Sequence, residues 1–488
     1  MKWIILALIS LLSLASIAVY SSRKREAGAL PVIYMAGTPG KETEERQAKF
    51  HQWLKDSGNG EIDLRLDAVN SGMNKIIMQG VSGIAADIIQ ANGGVDLGYY
   101  QSIGLLADLT DLAKAGNYTP EHFERAIRQE MLVDGRQYGC PASIYLLINY
   151  INRKTFEDLG LEVPPSRMTW DEFEKRGKEF VAKANPPGQK TRRFFLSAIN
   201  PFTLRRSMGL DVFNETLTRC TLDDPRNVEV LKLIHKWTAV DRLIPSGADM
   251  SALVSDGDAG AFGPRLYQFK IGNIAIIGGG NYLTPALRRL GEIPLAVSAP
   301  PYKEFPNAVL GTQLLSIYAG SKSRESASLY LEFLQSDAYF KTLVENGDGI
   351  PTTTKHAHHP DYLRPAAYPN EWGCNEEIVR SVEEIGFPYT ISPFVLFAVY
   401  NRIDKAMVDR FMTGVVTAEE AAARTTEEVN AEIKYQLQQR PALQARYDEL
   451  CKVQEQIDEL RSKGKKVPLS MISNPFHRAY YQFKGWSE

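Results

Sequence analysis

The chain has 488 residues, 44% of them apolar, so it can bury more than one core, and two or three domains are expected. Lys plus Arg number 56 against 58 Asp plus Glu, a balance that leaves no basic field for a phosphate backbone and excludes nucleic acid as the main partner. Cys140, Cys220, Cys374 and Cys451 show no C-x-x-C spacing and form no metal set; buried free thiols are expected, although an oxidising compartment would permit one bridge.

Trp3 to Tyr20 is an 18-residue run without charge, preceded by Lys2 and followed by SSRKRE, and it reads as a targeting segment outside the fold. Ser16-Ile17-Ala18 offers small residues for cleavage, and the run is also long enough to stay as an anchor. Both outcomes place the body outside the cytoplasm, against the pull of Arg23, Lys24 and Arg25, which the positive-inside rule prefers on the cytoplasmic side. The folded part begins with PVIYMAGTPG as strand and turn. KETEERQAKFHQWLKDSG then carries Phe50, Trp53 and Leu54 on one helical face before Gly58. EIDLRLD alternates with Ile62, Leu64 and Leu66 on one side, a helix follows around Asn70 to Val81, and ADIIQANGG is a further strand. Strand alternating with helix predicts a mostly parallel sheet, whose ligands collect at the carboxyl ends of the strands, where Gly37, Thr38, Asn92 and Gly93 fall.

A second α/β set starts near YGCPASIYLLINYINRKTFEDLG, with Ser143 to Tyr150 as strand and Lys154 to Leu159 as a short helix closed by Gly160. TWDEF is a capping box, Thr169 with Glu172, and predicts a helix from Trp170 to about Ala184. In GNIAIIGGGNYL, Ile274 to Ile277 reads as a buried strand, and Gly278 to Gly280 open a turn that no side chain fills. Thr284, Pro285 and Gly291 then mark a short helix. A phosphate-binding G-x-G-x-x-G would need glycine at Leu283, so the turn serves either packing or a ligand cleft. SAPPYKEFPN is a proline-rich crossing, LLSIYAG a strand, and SRESASLYLEFLQ a helix with Ala327, Tyr330, Leu331 and Leu334 in phase. The chain thus lays down one α/β set, then another, and returns to both, an order that suggests two lobes joined by several crossings. After Pro441, Leu443, Tyr447, Leu450, Val453, Ile457 and Leu460 describe an amphipathic helix ending at Gly464, which either packs back on a lobe or meets a partner or membrane surface.

Chemistry has weak signals. Asp256 and Asp258 in SDGDAG are two carboxylates of the kind glycoside hydrolysis uses, but two residues apart on a turn they read as caps. His356, His358 and His359 in KHAHHPD lack the H-E-x-x-H spacing, and Pro360 puts them in a solvated loop, so no metal is expected there. No G-x-S-x-G or phosphate loop is present.

Taken in order, ADIIQANG, GLLADLTDL, YGCPAS with LLINYINRKTFEDLGLEVPPSRMTWDEF, FKIGNIAIIGGGNY, GDGIPTT and VVTAEEAAARTTEEVNAEI resemble the extracellular solute-binding proteins of bacterial ABC importers, in the broad family with the maltose- and oligosaccharide-binding proteins. The resemblance spans roughly residues 31–434. It departs at Tyr282, where tryptophan is frequent, at Ile276, where methionine is usual, and after residue 434. It implies a type II-like periplasmic binding protein fold of class α/β, each lobe a mostly parallel sheet flanked by helices, with a C-terminal helical extension. Residues 1–30 would be signal peptide or anchor, 31–142 and 298–345 the first lobe, 143–297 and 346–434 the second, and 435–488 the extension. It further implies a periplasmic or cell-surface monomer that binds a carbohydrate without chemistry or cofactor, closes at a hinge and delivers it to ABC permease subunits. The alternatives are a sensor docking through its extension and a glycan-active enzyme. On this reading Tyr282 stacks on a sugar face and Asn281 takes hydroxyls, with Gly280 allowing close approach. Thr38 and Asn92 serve from the first lobe, Gln313 from the return strand, and Trp372 and Tyr389 complete the second lobe; Arg265 matters for an acidic solute.

Overall fold

The computed structural model describes residues 30–37, 40–67, 73–253 and 263–488, together with Ala15. The expectations for the N-terminal apolar run, Thr38, Asp256 and Asp258 lie outside the described residues. Among the described residues no helix is long and apolar enough to cross a membrane.

The first elements follow the expected alternation: β1 (Val32–Ala36), α1 (Lys41–Asp56), β2 (Asp63–Asp67), α2 (Met73–Val81) and β3 (Ile88–Asn92). β1 pairs in parallel with β2 and β3, and α1 buries Phe50 and Leu54 against them. The single strand expected over Ser143–Tyr150 is two, β4 (Cys140–Leu146) and β5 (Asn149–Asn152), and they belong to different sheets. Leu147 and Ile148 carry the chain across. The whole stretch is apolar because both strands are buried, so periodicity carries no mark of the change of sheet.

The capping box forms as read: Thr169 Oγ1 accepts from the Glu172 amide, and α3 runs Trp170–Ala184. Four strands follow that close the two sheets with β9 as the long return: β6 (Phe194–Leu196), β7 (Ile274–Gly278), β8 (Leu295–Ser298) and β9 (Ala308–Ile317). With β10 (Gly386–Pro388), the first sheet has the order β10-β9-β3-β1-β2, and β4 also pairs with β9. The second sheet has the order β8-β5-β7-β6.

Both sheets are mixed: among the described residues three of the five pairings in the first sheet are parallel, as expected, whereas two of the three in the second are antiparallel. β9 runs antiparallel to β3 and β4, and β5 lies reversed between β7 and β8, leaving β6–β7 as the parallel pair of the second sheet. The alternation rule governs consecutive strands joined by a helical crossover. It does not reach strands that enter a sheet from the other lobe, as β5 and β9 do.

Residues 346–434 divide between the cores. Ile350, Tyr362 and α5 (Cys374–Ile385), through Ile378 and Val382, join the core of the first sheet, and β10 continues that sheet. Helices α6 (Phe397–Met412) and α7 (Ala418–Gln439) pack instead on Phe202, Phe213 and Leu231 from the second chain segment. α7 runs through residue 434, so the extension begins only after it. There α8 (Gln444–Ser462) turns its apolar seam inward, Tyr447 and Leu450 onto one cluster and Ile457 onto Phe305 and Tyr480, and α9 (Pro475–Lys484) follows. Buried Glu215 holds this tail, accepting from Tyr481 Oη at 2.5 Å, Gln454 Nε2 at 2.9 Å and Arg461 Nη1 at 3.0 Å. All four cysteines are unbridged, three of them buried.

Candidate ligand-binding cleft

A cavity of about 710 Å³ opens between the two sheets where the chain crosses from one to the other. Gln90 and Asn92 reach it from the end of β3, Asp96 from the turn beyond, Tyr145 from β4 and Val309 from β9. Opposite stand Asn200 and Phe202 at the start of α4 (Pro201–Arg206), Tyr282 after β7, and Phe397, Tyr400 and Asp404 on α6; Tyr389 continues β10 of the first sheet, its amide donating to Leu310 O at 2.9 Å, and turns its ring onto Phe202. A second space of about 330 Å³ continues past Leu147, Asn200 and Tyr282 along Gly278 and Gly279.

Each wall has a local cause. Asn92 Nδ2 donates to Asp96 Oδ2 at 2.7 Å and fixes that carboxylate, while Asp96 Oδ1 is buried without a hydrogen-bond partner among the described residues. Burial raises the Asp96 pKa above the ordinary value. The Tyr145 ring lies across Gly311, where a Cβ would stand 2.1 Å from its hydroxyl oxygen. Asn200 caps α4 by accepting from the Phe202 amide at 3.0 Å, and Phe202 then packs on Tyr389 with ring centroids 4.4 Å apart and the planes tilted by 32°. Burial pushes up the phenol pKa of Tyr100, Tyr145, Tyr389 and Tyr400, so all four remain neutral at ordinary pH.

The buried charges of the second wall are matched within it, while the exposed Lys405 on α6 also lines the cavity. Arg205, 1% exposed, donates to both oxygens of Asp404 at 3.1 Å and to Asn227 Oδ1 at 2.7 Å, and Tyr400 Oη donates to Asp404 at 3.2 Å. Burial disfavours the Arg205 charge, but Asp404 outweighs it and keeps the guanidinium pKa above its usual value. Arg206, fully buried, pairs with Asp211 at 3.0 Å between the rings of Phe202 and Phe476.

Of the expected residues, the structure brings Asn92, Tyr282 and Tyr389 together in the cleft. Asn281 does not take part: it is 3% exposed, its Oδ1 accepts from Leu146 N at 2.8 Å, and its amide closes the end of β4. Gly280 is needed by the protein itself, since a Cβ there would lie 2.5 Å from the Tyr282 ring and 3.1 Å from Leu146 O. Gly278 likewise faces Ala198 O, at 2.7 Å from its would-be Cβ. The glycine turn therefore answers first to packing at the crossing, and Gly279 exchanges both backbone hydrogen bonds with Ile148 at 3.1 Å. Gln313 lies on β9 between Asn92 and Ser143 and accepts from Ser143 Oγ at 3.3 Å, away from the cavity lining. Trp372 is on the outer surface, donating to Pro365 O at 3.1 Å, and Arg265 is also outside the lining. Tyr145, Phe202, Tyr400, Asp96 and Asp404 were not singled out from sequence. Asn200-Pro201 is a legible helix start that could have drawn attention to Phe202, whereas nothing local marks which face of α6 meets the cleft.

A family model described as bacterial extracellular solute-binding protein matches residues 40–339. The multiple sugar-binding protein of Streptococcus mutans is 21% identical over 375 residues, 73% of this chain and 84% of that protein. Maltodextrin-binding protein MdxE of Bacillus subtilis is 24% identical over 333 residues, 64% of this chain and 72% of that protein. Among solved structures, an ABC substrate-binding protein of Listeria monocytogenes in complex with cycloalternan gives a TM-score of 0.69 at 20% identity, covering 83% of this chain and all of that one, 100%. Maltose-bound MalE3 of T. maritima gives 0.64 at 18% identity, covering 82% and 98%. At these identities the structural likeness is one of fold, and it shows the two-lobed α/β architecture that the motif order implied.

Proposed function

Because the chain belongs to the bacterial extracellular solute-binding protein family, we propose that it captures an oligosaccharide between its lobes, without turnover, and passes it to ABC permease subunits as an exported, monomeric binding protein. The cleft chemistry carries this reading: the rings of Tyr282 and Tyr389 share the cavity with Asn92 and with Asp96, whose Oδ1 has no hydrogen-bond partner among the described residues. A sugar offers a C–H face to a ring and hydroxyls to an acceptor, and needs both residue types at once. Asp96 Oδ1 accepts one ligand hydroxyl, Asn92 orients that carboxylate, and Tyr282 stacks. The continuation past Tyr282 favours several sugar units over a single one. Tagatose, maltose, maltotetraose and mannotriose are named as bound in structural relatives, which supports a carbohydrate and leaves its size to the cleft. The lobes hinge at Leu147–Ile148 and at the crossings before β9 and after β10.

Thermal unfolding of the chain against mono- and oligosaccharides, acidic sugars and amino acids, with product analysis of the same mixtures, tests this. A ligand that binds only the folded state at a hundred times its Kd stabilises it by about 2.7 kcal/mol. A rise with oligosaccharides and unaltered sugar is expected. A rise with amino acids alone, or altered sugar, overturns the reading.

A further inference from the structure

Away from the cleft, three separate segments bring a histidine and two glutamates together. Glu124 follows the 3-10 turn Pro120–His122, His358 follows the short helix Thr354–Ala357, and Glu383 lies in the last turn of α5. The three histidines of the KHAHHPD stretch take different partners. His356 stacks on Phe340 and meets Asp337 at 2.8 Å, and His359 caps the turn at Asp361, whereas His358 Nε2 stands 2.8 Å from Glu383 Oε1. One donor atom each from Glu124, His358 and Glu383 lies within 4.8 Å of the other two.

An ordinary surface ion pair accounts for His358 with Glu383, and Thr354 and the Arg128 charge favour the Glu124 carboxylate, but its second oxygen is left over. Glu124 is 7% exposed, and its Oε1 is buried without a hydrogen-bond partner among the described residues. A buried carboxylate oxygen with no donor, set beside a second carboxylate, is costly unless a positive charge serves both. We propose that Glu124, His358 and Glu383 form a divalent-cation site of the zinc class, completed by water on its open side. One imidazole nitrogen with two carboxylate oxygens suits zinc, and a fourth, solvent position suits its tetrahedral preference. His358 and Glu383 are 46% and 43% exposed, so both can shift toward the ligand spacing of roughly 3.3 Å that metal bonds of about 2.0–2.2 Å impose. Glu124 is held in place by its amide, which donates to Thr352 O at 2.9 Å. Bound there, the cation ties the 120–131 segment, the 353–363 segment and α5 to one another at the surface beside the first sheet's core. None of the three residues lines the cleft.

The test uses the full chain, stripped with EDTA and desalted, and titrated calorimetrically with zinc chloride; cobalt(II) absorption reports the coordination geometry. One equivalent of zinc per chain is expected, with a tetrahedral cobalt spectrum, a zinc-dependent rise in Tm, and at least tenfold weaker binding in His358→Ala and in Glu383→Gln. Both positions are exposed enough for the variants to fold. Glu124→Gln keeps the shape, removes the buried charge, and is expected to raise the Tm of the metal-free chain while weakening zinc binding. Wild-type zinc affinity retained in His358→Ala places the metal on other histidines and overturns the site. So does a wild-type Kd no tighter than about 1 mM. Ligand binding in the cleft is unchanged in all of these variants, so failure here and failure of the sugar-binding reading are separate results.

Discussion

Of the two walls of the cleft, the one carried by the first sheet keeps a buried polar demand open, while the other has satisfied its buried charges within itself. At the end of β3, Asn92 holds one oxygen of Asp96 and the second oxygen has no partner among the described residues. Across the cavity, Asp404 is taken up by Arg205 and Tyr400, and Asp211 by Arg206, so what that wall presents is mainly ring surface from Phe202, Tyr282 and Tyr400. The two walls thus differ in what they leave for a ligand. The first is suited to choosing hydroxyl geometry and the second to supplying contact area, because a paired charge has little left to give a newcomer.

Removing Asp404 should do the most damage. Asp404→Ala strands the buried Arg205 and is expected to cost about 3–5 kcal/mol in urea unfolding, in addition to weakening ligand binding. An effect under 1 kcal/mol would mean that the second wall is not self-satisfied after all.

Behind the first wall, Glu130 is fully enclosed, with Thr312 Oγ1 donating to it at 3.3 Å, and burial raises its pKa from 4.5 to about 8. An acid whose folded pKa lies above its unfolded value takes up protons on folding. Stability is then unaffected by it below about pH 4.5 and falls as pH climbs from there to about 8, by about 1.4 kcal/mol per pH unit at most. Glu130→Gln should flatten that decline, leaving the variant more stable than wild type at pH 8 by up to a few kcal/mol and close to it at pH 4. Parallel pH profiles for the two chains would contradict the enclosure of Glu130.

Asp96→Asn sharpens the contrast at the ligand itself. It keeps one acceptor for Asn92 and loses the free one, so calorimetry should show binding about ten- to a hundredfold weaker with little change in Tm. Tyr282→Ala removes a half-exposed ring worth about 0.5–1.5 kcal/mol of stacking, and a loss of up to about tenfold is expected, restored by Tyr282→Trp. Trp372→Ala, on the outer surface, should leave the affinity unchanged within error; a loss there would move the site away from the cleft described above.

Local signals were legible where local chemistry decides the outcome. The capping box at Thr169–Glu172, the α1 face with Phe50 and Leu54, and the inward seam of α8 each rest on residues three or four apart, and each formed as read. The order of motifs was enough for the two-lobed fold, since the return of the chain to its first α/β set is visible along the sequence. At the cleft, the expectation that Asn92 and Tyr282 line the cavity came from strands that end in glycine turns, Asn92 as the last residue of β3 and Tyr282 after the turn that follows β7.

Only the tertiary structure decided the rest. Asn281 and Tyr282 are neighbours in sequence, yet one is consumed by the backbone at Leu146 while the other faces the cavity, and nothing within the loop distinguishes them. Direction of pairing followed the same rule: β5 and β9 arrive from the opposite lobe, and β5 runs against β7 and β8 and β9 against β3 and β4, a fact set by long-range crossings rather than by alternation. Residues close along the chain share their periodicity and caps, which sequence carries in full. Burial, register and the pairing of Arg205 with Asp404 depend on what folds back from far away, 199 residues in that case, and that information exists only once the lobes are assembled.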